Sequence, residues 1–381
     1  MTASLSIIAD QQILLAREAF SKFGDVRLVE GRSIDQQMIK DADVLLVRSV
    51  TQVDESLLKG SKISFVGSAT SGIDHIDIEY LKKSSISFSH APGSNARSVA
   101  EYILSSLFET AAYQGFSLEE KTVGIIGCGQ VGSRIKHFMD TLGVQCLLDD
   151  PPLYEQTLDR AYVELERVLA ADIVTLHVPL TIDSKYPTNK LVNKQFLNRL
   201  KSDVILINTS RGEVIDETEL LAFKESNPKS TLILDVWCNE PEINITLLQQ
   251  TFIATPHIAG YSYDGKLKAT EMLVDVLKSA KNINSSDDRL PRSEQVEDFI
   301  EYKDDDVIQL AVMQSYDVRT DAIALGNLKS ISGEERASYF DSLRKNYPVR
   351  REFTNRIIKT NNITNESRQR LQQLGFKVES A

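Results

Sequence analysis

The chain has 381 residues, enough for two to three domains of roughly 150 residues each and for a sizeable buried core. Hydrophobic residues make up 42% and charged residues 25%, which excludes a disordered or collagen-like chain. Lys and Arg number 43 against 54 Asp and Glu, a net charge of −11, the wrong sign for nucleic acid or an anionic membrane surface as main partner. A small anionic substrate stays open, because a few arginines gathered in one pocket reverse the local potential. Cys128, Cys146 and Cys238 never form a CxxC pair, so neither a disulfide framework nor a metal site is expected. No stretch approaches the ~18 apolar residues of a membrane span and no basic region precedes an apolar run at the start, so a cytoplasmic protein is expected.

The first ninety residues alternate short apolar runs with helical patterns, in the order Leu5–Ala9, Gln12–Phe23, Val44–Val47, Ser56–Leu58 and Ile63–Gly67, which predicts βαβ units and a parallel sheet. Ala96–Leu118 reads as a long helix with Val99, Ile103, Leu107 and Ala111 on one stripe and Asn95 as N-cap, a connection between two domains. From Lys121 the strands are continuously apolar: Thr122–Ile126, Val144–Leu148, Ile173–Val178, Val204–Asn208, Leu232–Val236 and Phe252–Ala254. Such runs must be covered on both faces, as in a doubly wound parallel α/β sheet of the Rossmann type. A helix over Lys266–Ala280 leads into Lys281–Asp306, polar enough to read as a solvated linker. A small α+β domain follows, with helices at Val307–Tyr316, Glu334–Lys345 and Glu366–Leu374 and strands near Phe353–Ile358 and Phe376–Glu379.

Gly127-Cys128-Gly129-Gln130-Val131-Gly132 is a complete GxGxxG between a strand and a helix. Gly127 permits the tight turn, Gly129 lets the backbone approach a pyrophosphate, and Gly132 permits close helix packing, with the helix N-terminus facing the negative charge. The next strand ends at Asp149-Asp150, about the ~20-residue spacing at which a carboxylate receives the adenosine ribose hydroxyls. No Arg or Lys follows before Arg160 to neutralise a 2′-phosphate, so the cofactor is predicted to be NAD and not NADP.

Three later strands deliver polar groups just past their C-terminal ends: Thr209-Ser210-Arg211-Gly212, Trp237-Cys238-Asn239-Glu240-Pro241 and Thr255-Pro256-His257. That rim is where open α/β sheets bind ligands. Oxidising an alcohol beside a carboxylate needs a base, a cation for the acid and a hydride acceptor. His257 is the candidate base, Glu240 the group that orients it, and Arg211 the clamp on the carboxylate. Singly, each has a structural reading, as an ion pair, a turn or a buried histidine. Beside a dinucleotide loop the three together point to a dehydrogenase.

With His177–Thr181 (HVPLT), Ile207–Asp216 (INTSRGEVID), Leu234–Pro241 (LDVWCNEP) and Thr255–Ser262 (TPHIAGYS) added, the order of motifs resembles the D-isomer-specific 2-hydroxyacid dehydrogenases. The resemblance implies Arg211, Glu240 and His257 as the catalytic trio. It implies dinucleotide contacts at Gln130, Val131, Asp150, Val178, Thr209, Ser210, Arg211, Asp235 and Gly260. It also implies a flavodoxin-like substrate domain split around the cofactor domain, with residues near 265 to 280 returning to the first ninety.

The segments at 46–51, 65–75 and 91–96, with Asp150-Pro151-Pro152, Tyr261 and the C-terminal residues 316–319 and 343–347, extend the resemblance over the whole chain, to a branch acting on a phosphorylated hydroxy acid. This implies substrate contacts at Ser49, Thr70 and Tyr261 and a C-terminal domain that forms a homodimer. The divisions expected are 1–95 with 262–283 for substrate, 96–261 for NAD and 284–381 for dimerisation. Ser94, Ser68, Ile73 and Asp149 depart from the pattern around the substrate loop and the ribose acid. Physically, Ser49 and Thr70 are hydroxyls at strand-to-helix turns, where exposed N–H groups favour anions and where simple N-capping is an equal reading. Arg48 is the candidate for the phosphate, and Lys345, Arg350 and Arg351 form either a surface ion-pair network or a patch reaching the partner subunit. A dehydrogenase for another phosphorylated hydroxy acid and a non-catalytic NAD-sensing scaffold are the rival readings.

Overall fold

The computed structural model describes residues 4–281, 290–291, 295–299, 307–360 and 363–380. The chain divides into two compact units, Met1–Asn95 with Ser262–Glu294, and Ala96–Tyr261 with Gln295–Ala381.

The first unit is built on five parallel strands, β1 (Leu5–Asp10), β2 (Gly24–Val29), β3 (Val44–Val47), β4 (Phe65–Ser68) and β5 (Ser87–His90), in the order β2-β1-β3-β4-β5. This is the flavodoxin-like order, and its direction reverses between β1 and β3. Every residue of β3 and β4 is buried, as both faces of a central parallel strand must be. The edge strands are only part-buried. Short helices at Gln36–Ile39, Glu55–Leu58 and Ile78–Lys83 begin on Asp35, Asp54 and Asp77, whose carboxylates each accept a backbone N–H of the first turn. The run at Ser56–Leu58 is helix, begun where Asp54 captures the Leu57 N–H at 3.1 Å. Helix Tyr263–Lys281 belongs to this unit: Leu267, Leu273, Val274 and Leu277 join Ile7, Phe20 and Val44 in one core, and the Thr270 hydroxyl donates to the Leu14 carbonyl at 2.8 Å.

The second unit carries six parallel strands, β6 (Thr122–Ile126), β7 (Gln145–Asp149), β8 (Ile173–Leu176), β9 (Ile205–Asn208), β10 (Thr231–Leu234) and β11 (Ile253–Ala254), ordered β11-β10-β9-β8-β6-β7. A one-residue parallel bridge from Leu148 to Tyr162 lies beyond β7. Strand order reverses between β6 and β8, the switch point at which doubly wound sheets bind nucleotides. Helix Ala96–Gln114 packs Val99, Ile103 and Leu107 into the core with β6 and β9 residues. It stops four residues before the expected Leu118, because Gly115 takes φ +72° and closes the end with its N–H on the Ala111 carbonyl.

The rest of this unit is a parallel three-stranded sheet, β12 (Val296–Phe299), β13 (Arg356–Lys359) and β14 (Lys377–Glu379), ordered β12-β13-β14, with helices Val307–Ser315, Val318–Gly326, Gly333–Lys345 and Asn365–Leu374. Part of the segment expected as linker is thus strand: β12 pairs with β13 over four residues. Most of the remainder of 281–306 lies outside the described residues. Among the described residues no helix is long and apolar enough to cross a membrane.

Candidate active site

The glycine loop follows β6 directly. Gly127 sits at φ +87°, and a Cβ there would lie 2.6 Å from the His177 carbonyl oxygen. A Cβ on Gly132 would lie 2.0 Å from the Gly127 carbonyl oxygen, so the first turn of helix Gln130–Thr141 rests directly on the loop. Gly129, the N-cap, has no side-chain cap, and nothing lies within 4 Å of where its Cβ would be. The helix start is therefore open to an anion, with unspent N–H groups and the positive end of the helix dipole. Asp150 is fixed beside it: Oδ2 accepts the Cys128 N–H at 2.8 Å and Oδ1 the Leu153 N–H at 3.0 Å. A carboxylate has about four lone-pair sites, so each oxygen keeps acceptor capacity for a ribose hydroxyl. Asp149 is a different kind of group. It is buried at the end of β7, and burial, with Asp150 and Glu166 adding to it, pushes its carboxyl up to about 6. Gln130 and Val131 open the helix, and Val178 lies against Gly127. The loop, the open helix end and the fixed acid fit a dinucleotide.

Past β9, Asn208 organises the turn. Its Oδ1 accepts both the backbone N–H and the hydroxyl of Ser210, and its Nδ2 donates to the Arg211 carbonyl. Ser210 thus turns inward, and Thr209 lies 3.3 Å from His177 Nδ1. The His177 ring, in contact with Thr175 at 2.7 Å, is pushed down by burial to about 3 and stays neutral. Gly212 has no room for a side chain, since a Cβ would meet the Trp237 carbonyl carbon at 2.0 Å. Its smallness brings the Arg211 turn onto the turn that carries Glu240.

Past β10 and β11 the remaining pair meets. His257 Nδ1–H donates to Glu240 Oε2 at 2.8 Å, and Glu240 Oε1 accepts the Trp237 N–H at 3.0 Å. The Glu240 side chain is 18% exposed and that of His257 34%. Burial pushes the Glu240 carboxyl up, but the His257 charge and hydrogen bond, the Arg344 charge and the Trp237 N–H outweigh it and hold the group below its ordinary range. Asp235 is 1% exposed. Its Oδ1 accepts the Thr255 hydroxyl and the Ile258 N–H at 2.6 and 2.8 Å, and its Oδ2 the Ala259 N–H at 3.0 Å. Its backbone carbonyl accepts the His257 N–H at 2.7 Å. Asp235 is the strut of the histidine loop, and Gly260 follows half-buried on that loop.

Tyr261, four residues after His257, packs edge-on against Tyr347 with ring centroids 5.6 Å apart, and the Arg344 guanidinium lies 5.9 Å from its ring centre. Arg350 and Arg351 are each 5% exposed. The Arg350 guanidinium sits 3.6 Å over Tyr316 and donates to the Ser98 carbonyl at 2.6 Å. The expectation of a solvated or partner-reaching basic cluster fails for these two residues, because both are buried within this chain.

In the first unit, Ser49 is exposed on the turn after β3, and Arg48 is half-buried near Asp10, whose carboxyl feels its charge. Thr70 follows β4; its hydroxyl donates to the Gly72 carbonyl at 2.8 Å and lies 2.6 Å from Ser68 Oγ, which in turn contacts His75 Nε2 at 2.9 Å. Neither Ser49 nor Thr70 caps a helix; Asp54 and Asp77 do that. The sequence brought Trp237, His75, His177 and Arg344 forward only as members of motif segments, with no role of their own. A lone polar residue inside an apolar run or another domain's helix carries no local signal, and Ser68 stood out only as a departure from the resemblance.

The second unit is thus a nucleotide-binding sheet whose rim presents a His–Glu pair and an arginine, the machinery of a dinucleotide-dependent dehydrogenase. A family model described as the NAD binding domain of D-isomer specific 2-hydroxyacid dehydrogenases matches residues 94–259, and one described as a domain of unknown function (DUF3410) matches 291–375. Erythronate-4-phosphate dehydrogenase of Hahella chejuensis is 41% identical over 92% of this chain and 93% of its own. That of Marinobacter nauticus is 40% identical over 98% and 99%. NAD+-bound 3-phosphoglycerate dehydrogenase of Entamoeba histolytica superposes with a TM-score of 0.64 at 25% identity, over 76% of this chain and 99% of its own. The chain belongs to the D-isomer-specific 2-hydroxyacid dehydrogenases, and within them to the erythronate-4-phosphate dehydrogenase family. Its cofactor is NAD.

Proposed function

We propose that the protein oxidises 4-phospho-D-erythronate at C2 to 2-oxo-3-hydroxy-4-phosphobutanoate, a step of vitamin B6 synthesis. The observation that carries this reading is the 2.8 Å contact of His257 Nδ1 with Glu240 Oε2 on the rim that also bears Arg211. With Nδ1–H given to the carboxylate, the Nε2 lone pair of neutral His257 is free to take the C2 hydroxyl proton. Glu240, held ionised, stabilises the imidazolium that results. Arg211, permanently charged and planar, clamps the C1 carboxylate and polarises the C2 oxygen. As the proton leaves, the C2–H bond breaks with its electron pair and C2–O becomes a carbonyl. NAD, when bound at the glycine loop and Asp150, supplies the hydride acceptor.

Ser49, Thr70 and Tyr261 are proposed substrate contacts, and Arg48 a candidate for the phosphate. Residues 1–95 with 262–283 form the proposed substrate domain, 96–261 the NAD domain and 284–381 the domain of a cytoplasmic homodimer. An NADH absorbance assay with 4-phosphoerythronate and, separately, 3-phosphoglycerate tests the reaction. Turnover is expected with the first, and preference for the second or absence of both overturns the reading. His257→Ala is expected to lower kcat by roughly 10²–10⁴-fold while NADH binding, read by fluorescence, is retained.

A further inference from the structure

The C-terminal segment is matched as a domain of unknown function, and the 3-phosphoglycerate dehydrogenase that matches over nearly its whole length leaves about a quarter of this chain without counterpart. Helix Gly333–Lys345 of that segment ends beside the catalytic residues of its own chain. It is seated by Phe340, which is fully buried, and by Tyr339 and Leu343, in the core with Trp237 and Ile243. This seating fixes the register of the helix's last turn, where Arg344 lies.

Arg344 is placed as a recognition group would be. Its guanidinium is 5.9 Å from the centre of the Tyr261 ring, and it hydrogen-bonds Tyr261 and carries its charge to Glu240. Its Nε is buried and has no hydrogen-bond partner among the described residues. A buried guanidinium N–H without an acceptor costs free energy unless something supplies one. The proposed substrate carries two anionic ends, and Arg211 serves one. Both arginines feel carboxylates, Arg48 that of Asp10 and Arg344 those of Glu240 and Asp341, but Arg344 stands with Tyr261 in the unit that bears the catalytic trio.

We propose that the C-terminal domain completes the active site of its own chain by supplying Arg344, which braces Tyr261 and, with it, receives the phosphate of the substrate. The inference rests on the reaction proposed above for the choice of phosphorylated substrate. Hydrogen-bonding a tyrosine with one edge of a planar fork while offering another to a phosphate is a task for which lysine is a poor replacement. The domain then has a chemical role, selecting a hydroxy acid with a distal phosphate.

The test is calorimetry on the NADH-loaded full-length protein with 4-phosphoerythronate and with unphosphorylated erythronate, for wild type, Arg344→Ala, Arg344→Gln and Arg344→Lys. Wild type should prefer the phosphorylated ligand. Arg344→Ala and Arg344→Gln should each reduce that preference at least tenfold, and Arg344→Lys should restore part of it. Unchanged NADH affinity and Tm show that a variant is folded; Arg344→Gln keeps the length of the side chain should the truncation unfold the helix end. A preference that survives both neutral variants, or equal weakening of the two ligands, overturns the proposal. So does a wild type without preference. Turnover of 4-phosphoerythronate is followed in parallel. If it is absent while Arg344 still governs phosphate preference, the reaction reading falls and the recognition role stands.

Discussion

His257 holds a left-handed backbone, φ +57°, and Asn239, beside Glu240, does so at +58°. Non-glycine residues adopt this conformation at a cost and keep it where surrounding contacts over-determine it. For His257 those contacts come from Asp235, which ties residues 255, 257, 258 and 259 through four hydrogen bonds. The aspartate read from the sequence as a cofactor contact is therefore also what holds the base in place. Asp235→Asn replaces one acceptor oxygen by a donor and sets it against a backbone N–H. Leaving one buried N–H unsatisfied costs roughly 1–3 kcal/mol, and a misplacement of about 1 Å at the base costs about 10²-fold in rate. The variant is expected to melt lower in differential scanning calorimetry and to lose at least tenfold in kcat. Wild-type kcat in a destabilised Asp235→Asn protein would separate stability from positioning and remove the strut role.

At the scale of elements, helix Ala96–Gln114 buries a carboxyl as well as its apolar stripe. Glu101 is fully buried; its Oε1 accepts the Phe353 N–H at 2.9 Å, while Oε2 has no hydrogen-bond partner among the described residues. Burial, with Glu352 adding to it, pushes Glu101 up to about 8 against the pull of Arg350, Arg97 and the Phe353 N–H. The folded state therefore holds a proton that the unfolded chain releases near its usual value of about 4.3. The contribution of this group to stability is full below that value and is lost as pH rises towards 8. Glu101→Gln cannot titrate, so the Tm of the variant should fall less steeply than that of wild type from pH 5 to 8. Parallel Tm profiles of the two proteins would show that Glu101 is ionised throughout. The apolar face of this helix was legible in Val99, Ile103 and Leu107. Its buried carboxyl was not, because Glu101 lies off the apolar stripe and the groups that enclose it, Arg350, Glu352 and Phe353, are some 250 residues away, with only Arg97 close in sequence. Central strands such as Val44–Val47 were legible for the same reason that they are central: both faces must be apolar. Gly24–Val29 and Ser87–His90 are edge strands with part-exposed residues, and their polar positions broke the run that would have revealed them.

For the whole molecule, the catalytic rim could be read from sequence because its residues follow directly on strand ends, so that local order stands in for distance. Arg344 could not, because only the packing of Phe340 and Leu343 brings that helix to the rim. The assembly is likewise a property of surfaces. Ile323 and Val349, in the C-terminal domain expected to form a homodimer, are 70% and 75% exposed. Single exposed apolar residues are ordinary on protein surfaces, so they mark an interface only if changing them alters association. In a stable dimer the buried core of the interface is depleted of charge, and a carboxylate placed there without a partner is costly to desolvate. Sedimentation equilibrium of the full chain is expected to give twice the chain mass, and Ile323→Glu with Val349→Glu to move it towards the single-chain mass while NADH binding persists. A wild type sedimenting as one chain would remove the homodimer. A double variant that remains fully dimeric would move the interface to another face of the C-terminal domain.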